Sequence, residues 1–78
     1  MTNLEKYNNV FIEVFEVKED ELNGLEYQGI VAWDSIGHLG LIGEIEDVFD
    51  IEMETDDVIE FSSYQKGMEI LAKYNVKL

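Results

Sequence analysis

Between Ser35 and Asp50 the apolar residues Leu41, Ile42, Ile45, Val48 and Phe49 recur at three- and four-residue spacings. At roughly 100° per residue they fall within an arc of about 120°, the width of a core-facing helical stripe. A helix with such a stripe must bury it against other elements, so the question is what the flanking sequence offers. It offers more helix. Thr2 followed by Glu5 has the spacing in which each side chain satisfies a backbone donor of a first turn, and Leu4, Tyr7, Phe11, Val14 and Phe15 then mark one face of a helix running to about Val17. Ser62 and Gln65 repeat the capping spacing, and Tyr64, Met68, Leu71 and Ala72 follow at helical intervals until the pattern fades near Tyr74 and Asn75. No convincing strand alternation is present. The fold class is all-α.

The connections are uneven. From Lys18 to Asp34 the helical pattern gives way to charges, an Asn-Gly pair and a second glycine, which predicts a long loop with a helical turn near Glu19 to Leu22. A loop of that length needs apolar anchors, and Leu22, Leu25, Tyr27, Ile30, Val31 and Trp33 are available. Met53 to Asp57 is a polar break, with Thr55 or Asp56 as the cap of a short helix or single turn over Asp57 to Phe61.

Seventy-eight residues make one small domain, expected to span 1–78, with a marginal core. The chain has no cysteine, so no disulfide reinforces it, and with no signal peptide or membrane-length apolar run it reads as soluble and cytoplasmic. Eighteen acids against five bases give a net charge of −13. Such a chain repels nucleic acid and anionic membrane and is drawn to enzymes with basic patches. A hydrophobic fraction of 46% is too high for a disordered acidic segment. Glu44, Glu46, Asp47, Asp50, Glu52, Glu54, Asp56 and Asp57 read as a solvated face without the glycine and spacing of a calcium loop.

The head of the central helix carries the candidate chemistry. Asp34 is a favoured N-cap, which makes Ser35 the first helical residue, exposed at a terminus whose unpaired N–H groups tolerate an anion. Gly37, Gly40 and Gly43 fall on the outer face, and each costs about 1 kcal/mol relative to alanine, so packing rather than propensity must hold this helix. His38 leans toward the buried stripe. It is the chain's sole histidine, which together with the missing cysteines argues against a metal site, and an i, i+3 neighbour alone does not make Ser35 a hydrolase nucleophile.

The stretch from Trp33 to Met53 resembles the second helix of acyl carrier proteins. The likeness is carried by Asp34-Ser35-Ile36, the aliphatics Leu39, Leu41, Ile42 and Ile45, and the acidic ending Glu46-Asp47-Val48-Phe49-Asp50-Ile51. Length, acidity and helix pattern extend it over nearly the whole chain. The resemblance implies an acyl-carrier-like four-helix bundle of three longer helices and one short one, with a long first loop. It implies a 4′-phosphopantetheine arm, donated by coenzyme A through a phosphopantetheinyl transferase and attached to Ser35, with Asp34 and Ile36 flanking it. The arm would hold acyl intermediates as thioesters for fatty-acid-like, polyketide or dedicated specialised pathways. The protein would be a carrier and a monomer, not a catalyst, with Ile36, Leu39, Glu46 and Asp47 meeting the basic docking patches of loading ligases, synthases and transferases. Common fatty-acid carriers tend to have acids where this chain has Gly37 and Gly40, and often methionine at the place of Gly43. A low-relief glycine surface is therefore expected to take part in choosing a dedicated partner. His38 either bonds a backbone carbonyl at the boundary of the core or touches the root of the arm. Two alternatives keep the scaffold but differ in what it does. One is an aminoacyl or peptidyl carrier loaded by an adenylating ligase, and the other is an acidic helical adaptor that is never modified.

Overall fold

A computed structural model of the chain describes residues 1–78 and contains helices but no strand. Helix α1, Asn3–Phe15, begins as its sequence dictates. The Thr2 hydroxyl accepts from the Glu5 N–H at 3.1 Å, and the Glu5 carboxylate accepts from the Thr2 N–H at 2.9 Å. These bonds hold the Glu5 carboxyl below its ordinary range. The helix stops two residues before the expected Val17, where Glu16 turns into the left-handed region at φ 56°. Tyr7, Val10, Phe11 and Phe15 are buried. Leu4 is exposed and Val14 half-buried, and the first turn meets the C-terminal tail through Asn3, whose amide donates to the Lys77 carbonyl at 3.1 Å.

The long connection is built rather than loose. A 3-10 segment over Glu19–Gly24 buries Leu22, and Leu25 follows it into the core. Beyond it, a two-bond bridge clamps the loop to the start of the last helix: Tyr27 N–H donates to the Ser62 carbonyl at 2.8 Å and Tyr64 N–H to the Leu25 carbonyl at 2.9 Å. The tight turn at Gln28, φ 64°, then leads to the buried Trp33. The anchors are thus Leu22, Leu25 and Trp33, with Ile30 half-buried. Val31 is 96% exposed, whereas Tyr27, 38% exposed, sets its ring edge-on against His38 with centroids 5.5 Å apart.

Helix α2, Ser35–Phe49, lies against α1 and buries Leu41, Ile42 and Ile45, while Val48 and Phe49, at the end of the stripe, are half-buried. The short helix α3, Thr55–Glu60, has neither Thr55 nor Asp56 as its cap. Tertiary bonds set its start instead: the Met53 N–H goes to a Glu46 carboxylate oxygen at 2.8 Å and the Glu54 N–H to the Tyr74 hydroxyl at 3.0 Å. Helix α4, Tyr64–Ala72, is capped by Ser63, one residue later than the sequence spacing suggests. The Ser63 hydroxyl accepts from Lys66 N–H at 2.9 Å, whereas the Ser62 backbone is committed to the loop bridge. Ile70 and Leu71 are buried and Ala72 is exposed, after which a turn at Asn75 tucks Val76 back inside.

The centre is an aromatic stack. Phe11 packs against Tyr7, Phe15, Trp33, Phe61 and Tyr64, with ring centroids between 4.9 and 6.4 Å. Complete burial of side chains this large contributes about 1.5–3 kcal/mol apiece, which is how so short a chain without disulfides holds together. Close packing also explains Gly67, where an added Cβ would meet the Phe61 ring and the Tyr7 hydroxyl at 2.3 Å. Tyr7 itself donates to the Tyr64 carbonyl at 2.7 Å, and burial pushes its hydroxyl far above the normal range.

Asp57 corrects the reading of the acids as one solvated face. It is 6% exposed, and its two carboxylate oxygens accept from the Lys73 ammonium and the Tyr74 hydroxyl, each at 2.5 Å. Those bonds hold the Asp57 carboxyl below its ordinary range and push Lys73 and Tyr74 up. No helix is long and apolar enough to cross a membrane.

Candidate functional site: the cleft at the head of helix α2

The N-terminus of α2 is set by one side chain. Asp34, in extended conformation, accepts from the Gly37 N–H at 2.8 Å, and its carbonyl takes the His38 N–H at 2.8 Å. The N–H groups of Ser35 and Ile36 are left without intrahelical partners, as in any first turn. Ser35 is exposed and stands at the lip of a cleft of about 380 Å³. The cleft is lined by Leu39 and His38 from α2, Val58, Ile59, Phe61 and Ser62 from α3 and the link after it, and Tyr27 from the long loop.

His38 organises the floor. The Trp33 indole donates to its Nδ1 at 3.0 Å, and its Nε2 lies 2.7 Å from the Val58 carbonyl. An indole N–H can only donate and a carbonyl only accept, so the imidazole is neutral with its proton on Nε2. This realises the expected bond to a backbone carbonyl, and the ring also lines the cleft beside Ser35. Both nitrogens are engaged, so neither is available to take a proton from the Ser35 hydroxyl.

The other residues singled out from sequence separate into groups. Ile36 and Leu39 are 80% and 68% exposed, with Leu39 a wall of the cleft. Gly40 and Gly43 lie on open surface with nothing near a prospective Cβ. Gly37 differs: it is half-buried at the edge of the stripe, and a Cβ there would come within 2.0 Å of the Ala32 carbonyl oxygen. Its small size is demanded by the chain's own backbone. Glu46 and Asp47 stand three turns further along, about 16–18 Å from Ser35 at 1.5 Å per residue. Asp47 is exposed, whereas Glu46 is half-buried and spends a carboxylate oxygen on the Met53 N–H. The outer strip of α2 therefore reads Ile36, Gly40, Gly43, Asp47, an apolar and bare surface ending in charge.

Sequence reasoning missed the far wall. Val58 and Ile59 had no periodic signal beyond a five-residue segment, yet Ile59, 73% exposed, faces the cleft across from Leu39. The sequence held no signal that placed either residue there.

Comparison with known proteins gives one consistent likeness. The chain is similar to the proteins named acyl carrier protein from two strains of Buchnera aphidicola subsp. Acyrthosiphon pisum, Tuc7 and APS. In each case the identity is 25% over 74 residues, covering 94% of this chain and 92% of the relative. No family model matches the chain, and no solved structure does. The likeness is distant, spans nearly the full length of both chains and agrees with the all-α fold.

Proposed function

We propose that the protein is an acyl carrier, a single domain over 1–78, bearing a 4′-phosphopantetheine arm on Ser35. The observation that carries this reading is an exposed hydroxyl on the first residue of α2, at the lip of an apolar cleft. The site suits the group. A phosphodiester on Ser35 would lie at the positive end of a fifteen-residue helix, beside the unpaired N–H groups of its first turn. Asp34 would hold that turn by its bond to Gly37, and the outward Ile36 would flank the linkage. When bound, the arm supplies a thiol that carries acyl groups as thioesters. The chain's own part is to expose the serine, hold the helix end, and offer Leu39 and Ile59 to the arm's apolar cargo.

Docking would begin with charge. At −13 the chain attracts basic entrances of a phosphopantetheinyl transferase and of loading, elongating or transferring enzymes, and such encounters are fast and salt-sensitive. Ile36, Gly40, Gly43 and Asp47 form the surface that a partner would meet first, with Glu46 at its edge. The bare glycines let a partner's backbone approach closely.

The test is intact-mass analysis after incubation with coenzyme A and a broad-specificity transferase. The expected result is one added phosphopantetheine on the wild type and none on Ser35→Ala. A wild type that stays unmodified with several competent transferases leaves the acidic adaptor as the reading, and an adduct that persists in Ser35→Ala moves the attachment elsewhere.

A further inference from the structure

The Asn-Gly pair of the long connection carries a chemistry that is independent of the carrier reading. We propose that Asn23 is a site of spontaneous covalent modification, a deamidation through the Gly24 nitrogen that yields aspartate and isoaspartate and loosens the connection from α4. The chain has five asparagines, Asn3, Asn8, Asn9, Asn23 and Asn75, followed in turn by leucine, asparagine, valine, glycine and valine. A side chain on the following residue hinders ring closure by its backbone nitrogen, and only Asn23 is followed by a residue without one. Asn23 and Gly24 are both exposed, and an added Cβ at Gly24 would meet nothing within 4 Å.

Water is the sole co-reactant. The Gly24 nitrogen attacks Cγ of Asn23 and gives up its proton to the departing amide. The new N–Cγ bond forms as the Cγ–Nδ2 bond breaks, ammonia leaves, and a five-membered imide remains. Water then opens the ring at one of its two carbonyls. Opening at Cγ leaves aspartate, and opening at the main-chain carbonyl leaves isoaspartate, in which the chain runs through Cγ. The fold sets the rate. The 3-10 segment Glu19–Gly24 holds the nitrogen in a helical turn, and the Asn23 side-chain oxygen accepts from the Gln65 amide of α4. Attack requires the turn to open and Gln65 to let go. Short 3-10 runs have poor hydrogen-bond geometry, and exposed segments of this kind open far more often than a whole domain unfolds. Gln65 is therefore a gate on the reaction.

The products strain the fold. Asn23 and Gly24 stand between Leu22 and Leu25, the buried anchors of the connection. Isoaspartate adds one carbon–carbon bond of about 1.5 Å to the main chain between them. The Leu25 carbonyl also accepts from the Tyr64 N–H at 2.9 Å, so a displaced Leu25 pulls on the bridge to the head of α4. Either product adds a negative charge to a segment that already carries Glu19, Asp20, Glu21 and Glu26, with Lys18 as the one base of the connection.

The experiment keeps the full chain in warm, mildly alkaline buffer for weeks. Anion exchange separates the form with one more negative charge, and intact mass shows an NH2 exchanged for OH. Peptide mapping with enzymatic carboxyl methylation of isoaspartate then locates the site. Conversion is expected at Asn23 ahead of every other asparagine, several-fold slower in the folded chain than in urea and several-fold faster in Gln65→Ala than in the wild type. Gly24→Ala, at an open position, should fold normally and convert several-fold more slowly even in urea. The purified isoaspartate form should melt about 4–8 °C below the unmodified chain, and Asn23→Asp, which keeps the length of the main chain, should fall by less. Earlier conversion at another asparagine, aspartate without isoaspartate, equal rates in the wild type and Gln65→Ala, or an isoaspartate form that melts with its parent overturns the inference. So does an Asn23 that stays intact in the folded chain.

Discussion

The indole of Trp33 donates to Nδ1 of His38 across 3.0 Å, which leaves Nε2 to donate to the Val58 carbonyl 2.7 Å away. One imidazole thereby joins the end of the long loop, the second turn of α2 and the body of α3. Trp33→Phe keeps most of the ring but leaves Nδ1 without its donor. We expect a loss of about 2 kcal/mol in urea unfolding, the sum of the unmade bond and the smaller side chain. An unchanged midpoint would mean that the bond contributes nothing to the assembly of the cleft.

The three glycines of α2 should part company when each is changed to alanine. At Gly37 the new methyl would press on the Ala32 carbonyl, a backbone atom that cannot swing aside, and the expected cost is about 1–3 kcal/mol. Gly40→Ala and Gly43→Ala meet open space and should each stabilise the helix by about 1 kcal/mol at most. Denaturant midpoints of the three variants decide it; equal effects would refute the distinction. For partner choice the informative change is Gly40→Glu, which should slow transfer from the cognate loading enzyme while the fold persists, and unchanged kinetics would remove the glycines from that role.

Asp57 should govern the ends of the pH profile. Its folded-state carboxyl lies below the ordinary value, so the unfolded chain binds the proton first as the solution is acidified. The stability it contributes is complete above about pH 4 and is lost as pH falls through the folded-state value. Lys73 and Tyr74 shift upward, so their share is complete below about pH 10 and is lost as pH rises through their folded-state values. Asp57→Asn should therefore be less stable at neutral pH and flatter than the wild type at both extremes in thermal unfolding. Two parallel profiles would show that the clasp is not linked to proton binding.

Self-repulsion among eighteen acids with five bases to offset them should make the fold weakest in dilute buffer. Raising the salt from about 0.01 to 0.15 M shortens the screening length from about 30 to 8 Å, and the melting temperature should climb, with divalent cations more effective than sodium. A flat or falling response would show that the acids are already spaced beyond mutual influence.

The sequence was most readable where local rules act alone. The Thr2 and Glu5 capping box, the Asp34 cap and the burial of Leu41, Ile42 and Ile45 all follow from spacing within a few residues, because helix geometry repeats over that range. The exposed Ser35 at the head of α2 belongs to the same class. By itself, then, the sequence determined an all-α chain with a serine displayed at a helix N-terminus.

Contacts between residues distant in the chain decided everything else. Ser63 rather than Ser62 caps α4 because Ser62 is tied to the loop through Tyr27. Asp57 is buried because Lys73 and Tyr74, sixteen and seventeen residues later, are folded onto it. Gly37 is required by the carbonyl of Ala32, and the far wall of the cleft comes from an isoleucine with no pattern of its own. A short-range pattern can say which face of a helix is apolar. Which atoms come to lie against that face, and how much room remains between them, depends on close packing among elements whose meeting no local spacing encodes.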